Sequence, residues 1–194
     1  MKQVVRNTLS ETIAVMGKSI PENMDRLLDA ADSLARALTS GHKILIFGNG
    51  GSAADAQHIA AEFVNRFQVE RPPLAAVALS TDTSILTSIG NDYSFDEIFS
   101  KQISAIGRPH DVAWGISTSG HSKNVVLGMI AARDAGLFTL GMTGRGGQIK
   151  DVADVTLSVP SDVTARIQET HTVFGHVVCD LVDRILFPER FDAP

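Results

Sequence analysis

Three groups of residues in this 194-residue chain have the types and spacing to do chemistry. His58 and Glu62 lie four apart in an alanine-rich helical segment, so their side chains share one face. Gln168 and His176 lie eight apart in a second helical stretch, about 80° around its axis, so one surface can present both. Two imidazole nitrogens, a carboxylate and an amide oxygen form a donor set for zinc or another divalent ion, tetrahedral or five-coordinate. A solvated polar helix face produces the same His–Glu spacing by chance, and that alternative stands beside the metal site.

The second group is Ser117-Thr118-Ser119-Gly120-His121-Ser122, which follows an apolar run ending at Ile116 and leads into a helix beginning near Lys123. Hydroxyls and free amides at a helix N-terminus all donate, and the helix dipole favours an anion, so this loop makes a phosphate cradle. An ordinary N-cap is the alternative, but it needs one hydroxyl where this loop supplies four. The third group, Gly48-Asn49-Gly50-Gly51-Ser52-Ala53, formally fits a dinucleotide fingerprint. The acidic residue that should follow is missing, since Glu70 precedes the next strand and Asp82 comes too late. The turn instead lets backbone amides approach a small polar ligand, or simply permits a tight reversal. No Walker lysine motif is present, which argues against nucleoside triphosphate hydrolysis.

The elements that must position these groups follow from hydrophobic patterning. Short, almost wholly apolar runs recur at Lys43–Phe47, Ala75–Leu79, Val112–Ile116, Phe138–Met142 and Val155–Val159, with helical segments between most of them. Such runs, alternating with helices, predict a doubly wound α/β domain with a five-stranded, mainly parallel sheet covered on both faces. In such sheets ligands bind beyond the carboxyl ends of the strands, where the glycine turn and the hydroxyl loop both fall. Residues 1–40 read as a pair of helices with apolar faces suited to assembly, Pro21 being expected in the first turn of the second. The rest, 41–194, reads as one domain closed by a long helix from about Thr164 to Leu186.

Composition narrows the function classes. A chain that is 44% hydrophobic and 20% charged, with net charge −5, has no basic face for sequence-independent nucleic-acid binding, although local donors can still hold one phosphate. The lone Cys179 sits in an apolar run and reads as a buried small hydrophobe in a reducing compartment. The first residues lack a signal-peptide core, and no stretch approaches about 18 uninterrupted apolar residues, so a cytoplasmic protein with no membrane contact is expected.

Taken together, the run from Gly48 to His58, Gly90-Asn91-Asp92, Ser117-Thr118-Ser119-Gly120 and Arg166-Ile167-Gln168-Glu169 closely resemble the bacterial phosphoheptose (sedoheptulose 7-phosphate) isomerases, a branch of the sugar isomerase (SIS) domain family. The resemblance covers nearly the whole chain with the motifs in order. It implies a flavodoxin-like SIS fold and a homotetramer with active sites at subunit interfaces. It also implies conversion of sedoheptulose 7-phosphate to D-glycero-D-manno-heptose 7-phosphate, feeding heptose nucleotide synthesis for lipopolysaccharide or other surface glycans. One zinc ion per subunit would be held by His58, Glu62, Gln168 and His176. Substrate would meet Asn49, Gly50, Gly51, Asn91, Asp92, Ser117, Thr118, Ser119, Ser122 and Gln168. An acidic residue that some members carry just before the Arg/Lys-Ile-Gln motif is Ala165 here, which denies that carboxylate a general catalytic role.

Within this reading Glu62 moves the carbon-bound proton and His176 relays protons on the oxygens. A carboxylate held on a cation is a poorer base, which sets a tension between Glu62's two roles. Asp55 is a candidate to orient His58 or the substrate, and Arg66 is either a site residue or a surface charge. Two rivals stand beside it: a non-catalytic relative in the same family that binds the replication initiator DnaA, and a sugar-phosphate sensing or binding module. The first lacks the carboxylate and final histidine that Glu62 and His176 supply here, and the second needs only the phosphate loop. With no second domain to form a cleft, the chain is expected to complete its site with neighbouring subunits.

Overall fold

The structure, a computed structural model, describes residues 1–191, so the last three positions of the expected 41–194 domain lie outside the described residues. Helices α1 (Lys2–Glu22) and α2 (Met24–Thr39) open the chain. The strands are β1 (Ile44–Gly48), β2 (Ala76–Ala78), β3 (Val112–Ser117), β4 (Phe138–Thr143) and β5 (Val155–Ser158). Between them run α3 (Gly51–Val64), α4 (Thr83–Asp92), α5 (Ser100–Ile106), α6 (Lys123–Asp134) and the single turn α7 (Ile149–Val152), and α8 (Thr164–Leu186) closes the chain. All strand pairs are parallel, in the order β2-β1-β3-β4-β5, which is the expected flavodoxin-like arrangement.

Continuous apolar sequence is required because helices cover both faces. Ile44, Ile46, Trp114 and Ile116 point to a core shared with α2, α3 and α8, while Leu45, Phe47 and Ala113 point to a core shared with α5 and α6. Every residue of β1 and β3 is buried. β2 is the exception, a three-residue edge strand that is partly exposed and shorter than the five-residue apolar run predicted. An edge strand pairs on one side alone, and short edges limit unwanted pairing.

The break between the first two helices falls at Asn23, not where proline was expected to begin the second. Pro21 lies in the last turn of α1. The Asn23 amide donates to the Ser19 and Ser158 carbonyls, both at 2.8 Å, and its oxygen accepts from Ser158 N–H at 2.9 Å. A tertiary clasp onto β5 therefore sets the corner. α2 is drawn into the core through Leu27, Ala30, Ala31 and Leu34, whereas Val4, Val5, Leu9 and Ile13 of α1 remain exposed. Among the described residues no helix is long and apolar enough to cross a membrane.

Candidate active site

The chemistry gathers where α3 and α8 lie side by side. Gly51 faces Gln168, Asp55 meets Thr172, and His58 meets His176, so the pairs advance together and the helices run parallel. Gly175 permits the approach, because a Cβ there would stand 2.8 Å from Ile59 Cδ1. This packing sets His58 Nε2 2.7 Å from His176 Nε2 and 3.5 Å from Glu62 Oε1. All three candidate ligand atoms lie within 4.8 Å of one another.

Two imidazoles and a carboxylate on rigid helices fit a zinc-type ion, whose bonds to nitrogen and oxygen are about 2.0–2.2 Å. Asp55 lies in the same seam between the helices. Its Oδ1 accepts from Thr172 Oγ1 at 2.9 Å, while Oδ2 is buried without a partner. Burial pushes the Asp55 carboxyl up, against the opposing effects of the Thr172 hydrogen bond and the nearby His58 and His176.

Two histidines and the carboxylate of the expected ligand set thus converge within one chain. Gln168 packs its amide against Gly51, and eight residues of helical rise put it about 12 Å along α8 from His176. Gln168 stands beside the glycine turn, within the substrate-binding group that the resemblance implies.

The glycine turn and the hydroxyl loop follow adjacent strands, β1 and β3, and are clamped together. Asn49 and Asn124 exchange side-chain hydrogen bonds of 2.8 and 3.0 Å. In the hydroxyl loop Ser117 Oγ donates to Ser122 Oγ at 3.1 Å and accepts from Gly120 N–H, and Ser119 Oγ accepts from His121 N–H. Ser122 is the N-cap residue of α6 but makes no side-chain cap hydrogen bond, which leaves first-turn amides available to an anion. Gly120 (φ 68°) seats this loop, since a Cβ there would collide with the Gly146 carbonyl oxygen and with Thr143. Gly120→Ala is expected to cost about 1–2 kcal/mol, from the left-handed backbone strain alone, measurable in urea melts.

Asn91 and Asp92 occupy the exposed end of α4, where Asn91 Nδ2 donates to Asp92 Oδ1 at 2.8 Å. Arg66 forms an exposed pair with Glu70 at 3.4 Å, so it reads as a surface charge in this chain. Cys179 is buried, and burial pushes its thiol up, so it belongs to the core. Sequence reasoning missed His121 and Arg145, which line a cavity of about 280 Å³ that Thr118 and Ser119 also line. The Gly144–Gly147 segment after β4 lies at a strand's carboxyl end and was a signal for it. A larger cavity of about 570 Å³, lined by Arg36, His42 and His110 among others, lies at the opposite, amino-terminal edge of the sheet, away from this chemistry.

Comparison with known proteins gives a consistent result. The SIS domain matches residues 9–144. The phosphoheptose isomerase of Nitratidesulfovibrio vulgaris is 58% identical over 166 residues, covering 85% of this chain and 80% of that protein. That of Solidesulfovibrio magneticus is 52% identical over 185 residues, covering 95% and 91%. The structure of phosphoheptose isomerase from Neisseria gonorrhoeae superposes with a TM-score of 0.88 at 45% identity, covering 94% of this chain and 98% of that one. Agreement of sequence and fold over nearly the full length is more specific than any single motif, and this chain belongs to the SIS domain family, in its phosphoheptose isomerase branch.

Proposed function

We propose that this chain interconverts sedoheptulose 7-phosphate and D-glycero-D-manno-heptose 7-phosphate as an aldose–ketose isomerase. The observation that carries the chemistry is the convergence of His58, Glu62 and His176 from two helices. A sensing module would need the hydroxyl loop but not this triad. The hydroxyls of Ser117, Thr118, Ser119 and Ser122 anchor the phosphate, and Asn49, Gly50, Gly51 and Gln168 meet the sugar near the glycine turn. Asn91 and Asp92 serve as further contacts to sugar hydroxyls. Remote phosphate binding positions the reacting carbons.

Isomerisation removes a proton from C1, passes through a cis-enediol, and returns a proton to C2, with compensating transfers between the two oxygens. Glu62 takes and returns the carbon-bound proton, and His176 exchanges the oxygen-bound ones. A divalent ion such as zinc, when bound by His58, Glu62 and His176 with Gln168 as a further ligand, supplies charge that polarises the carbonyl. The exposed apolar stripe of α1 supports a homotetramer in which neighbouring subunits complete each site. Placement in the cytoplasm, with a product destined for surface glycans, fits this chemistry.

The reading is tested by incubating the purified protein with sedoheptulose 7-phosphate and following the aldose product by NMR. Appearance of the aldose is expected. Its absence, with and without added zinc, would overturn the isomerase assignment. Ser119→Ala is expected to raise KM about 10-fold with little change in kcat, the cost of one hydrogen bond to a charged group. An unchanged KM would count against the hydroxyl loop as the phosphate anchor.

A further inference from the structure

Arg71 lies between α3 and β2, and its side chain is only 1% exposed. Burial of a guanidinium is costly unless its donors are paired, and here they are paired in an unusual place. Nη2 donates to the Glu62 carbonyl at 2.8 Å, and Nη1 donates to the Phe63 carbonyl at 2.7 Å and to those of Asn65 and Pro72 at 3.2 Å. Nε donates to Asp183 Oδ1 at 2.9 Å. The last carbonyls of a helix lack intrahelical donors, and a cation there also complements the helix dipole. Arg71 thus ends α3 from below, in place of the usual glycine, since the C-cap residue is Asn65.

Two features tie this cap to the site. The carbonyl held by Nη2 belongs to Glu62 itself, so the guanidinium grips the peptide from which the triad's carboxylate projects. Asp183 lies on α8, two turns beyond His176, so the same guanidinium also grips the helix that supplies the triad's second imidazole. The bridge is poorly built for stability alone, because Asp183 Oδ2 is buried without a hydrogen-bond partner. Buried pairs of this kind are often matched or exceeded in stability by apolar replacements.

We infer that Arg71 is a positioning residue: it fixes the separation between the Glu62 carboxylate and His176 by clamping the end of α3 to α8. This rests on the isomerase reading of the triad. A lysine at this position keeps the charge but cannot reach the Glu62 and Phe63 carbonyls and Asp183 together, because it lacks the planar fork.

The test compares wild type, Arg71→Lys and Asp183→Asn below their melting temperatures, after circular dichroism has established folding. Steady-state kinetics gives kcat and KM, and competition with a chromophoric chelator gives the zinc dissociation constant. Arg71→Lys is expected to lower kcat about 10- to 100-fold and weaken zinc binding about 10-fold, with KM nearly unchanged. Asp183→Asn is expected to shift both in the same direction, by less. A merely structural arginine would lower the melting temperature and leave the folded fraction with wild-type kcat and zinc affinity, which would overturn the inference. If Arg71→Lys does not fold, wild-type kcat and zinc affinity in folded Asp183→Asn would overturn it. A wild type that binds zinc without turning over the sugar phosphate would defeat the isomerase reading alone, and weakened zinc binding in the variants would still support the clamp. A wild type with neither property would remove the role that Arg71 serves, and the inference would fall with it.

Discussion

Glu62→Gln is expected to lower turnover of sedoheptulose 7-phosphate about 10²- to 10⁴-fold without unfolding the protein. Glutamine has nearly the same shape, so the packing of α3 against α8 is retained, but its amide cannot accept the proton from C1. The Glu62 side chain is 20% exposed and lies 3.5 Å from His58, so the change strands no fully buried charge. Zinc content measured beside activity separates loss of the base from loss of the ion. Deuterium exchange at C1 in heavy water gives the more direct reading. If Glu62→Gln exchanges that proton at the wild-type rate, the carbon-bound proton belongs to another group.

The parts legible in the sequence are those governed by local pattern. β1 and β3 are buried on both faces, so their continuous apolar runs announce them, and the start of α6 at Lys123 follows from the hydroxyl cluster before it. The strand order follows from the resemblance and not from periodicity. Interactions between distant segments were not legible. The corner at Asn23 depends on Ser158, and nothing near Pro21 encodes that partner.

The site divides in the same way. His58 and Glu62 share a face of one helix, which spacing reveals, but their meeting with His176 depends on α8 approaching α3 through Gly175. The place of Gln168 beside Gly51 depends on that same approach of the two helices, which an angular offset around one axis does not reveal. Arg71 has the look of an ordinary surface charge until its acceptors, the spent carbonyls at the end of α3, are seen around it. His171 is equally inconspicuous in sequence, and it carries a large pH effect on the acid side.

Acidification from pH 6.5 to about 4 is expected to remove about 3 kcal/mol of stability through His171 alone. The residue is fully buried in α8, where Nε2 donates to the Thr143 carbonyl at 3.1 Å and Nδ1 has no hydrogen-bond partner. Burial disfavours the imidazolium and holds the pKa down to about 4, against the smaller opposing effect of the Thr143 bond. An unfolded histidine titrates near pH 6.5, so within this window the unfolded chain binds a proton that the native chain refuses. The unfolded state therefore gains on acidification, and stability rises again as pH returns toward 6.5. Well above pH 6.5 His171 is neutral in both states and contributes no slope. Urea melts of wild type and His171→Gln at pH 7 and pH 4.5 check this, because the difference between the two proteins cancels the other titrating groups. The gap between them should change by about 2 kcal/mol or more across the interval, to the disadvantage of wild type at low pH. A gap independent of pH would show that His171 accepts its proton as readily in the native chain as in the unfolded one. The effect should reach the site, since Thr143 Oγ1 donates to the Gly146 carbonyl at 2.7 Å and Gly120 packs directly against that turn. Charging His171 would therefore loosen the seat of the hydroxyl loop, and phosphate binding should weaken in acid before the chain unfolds.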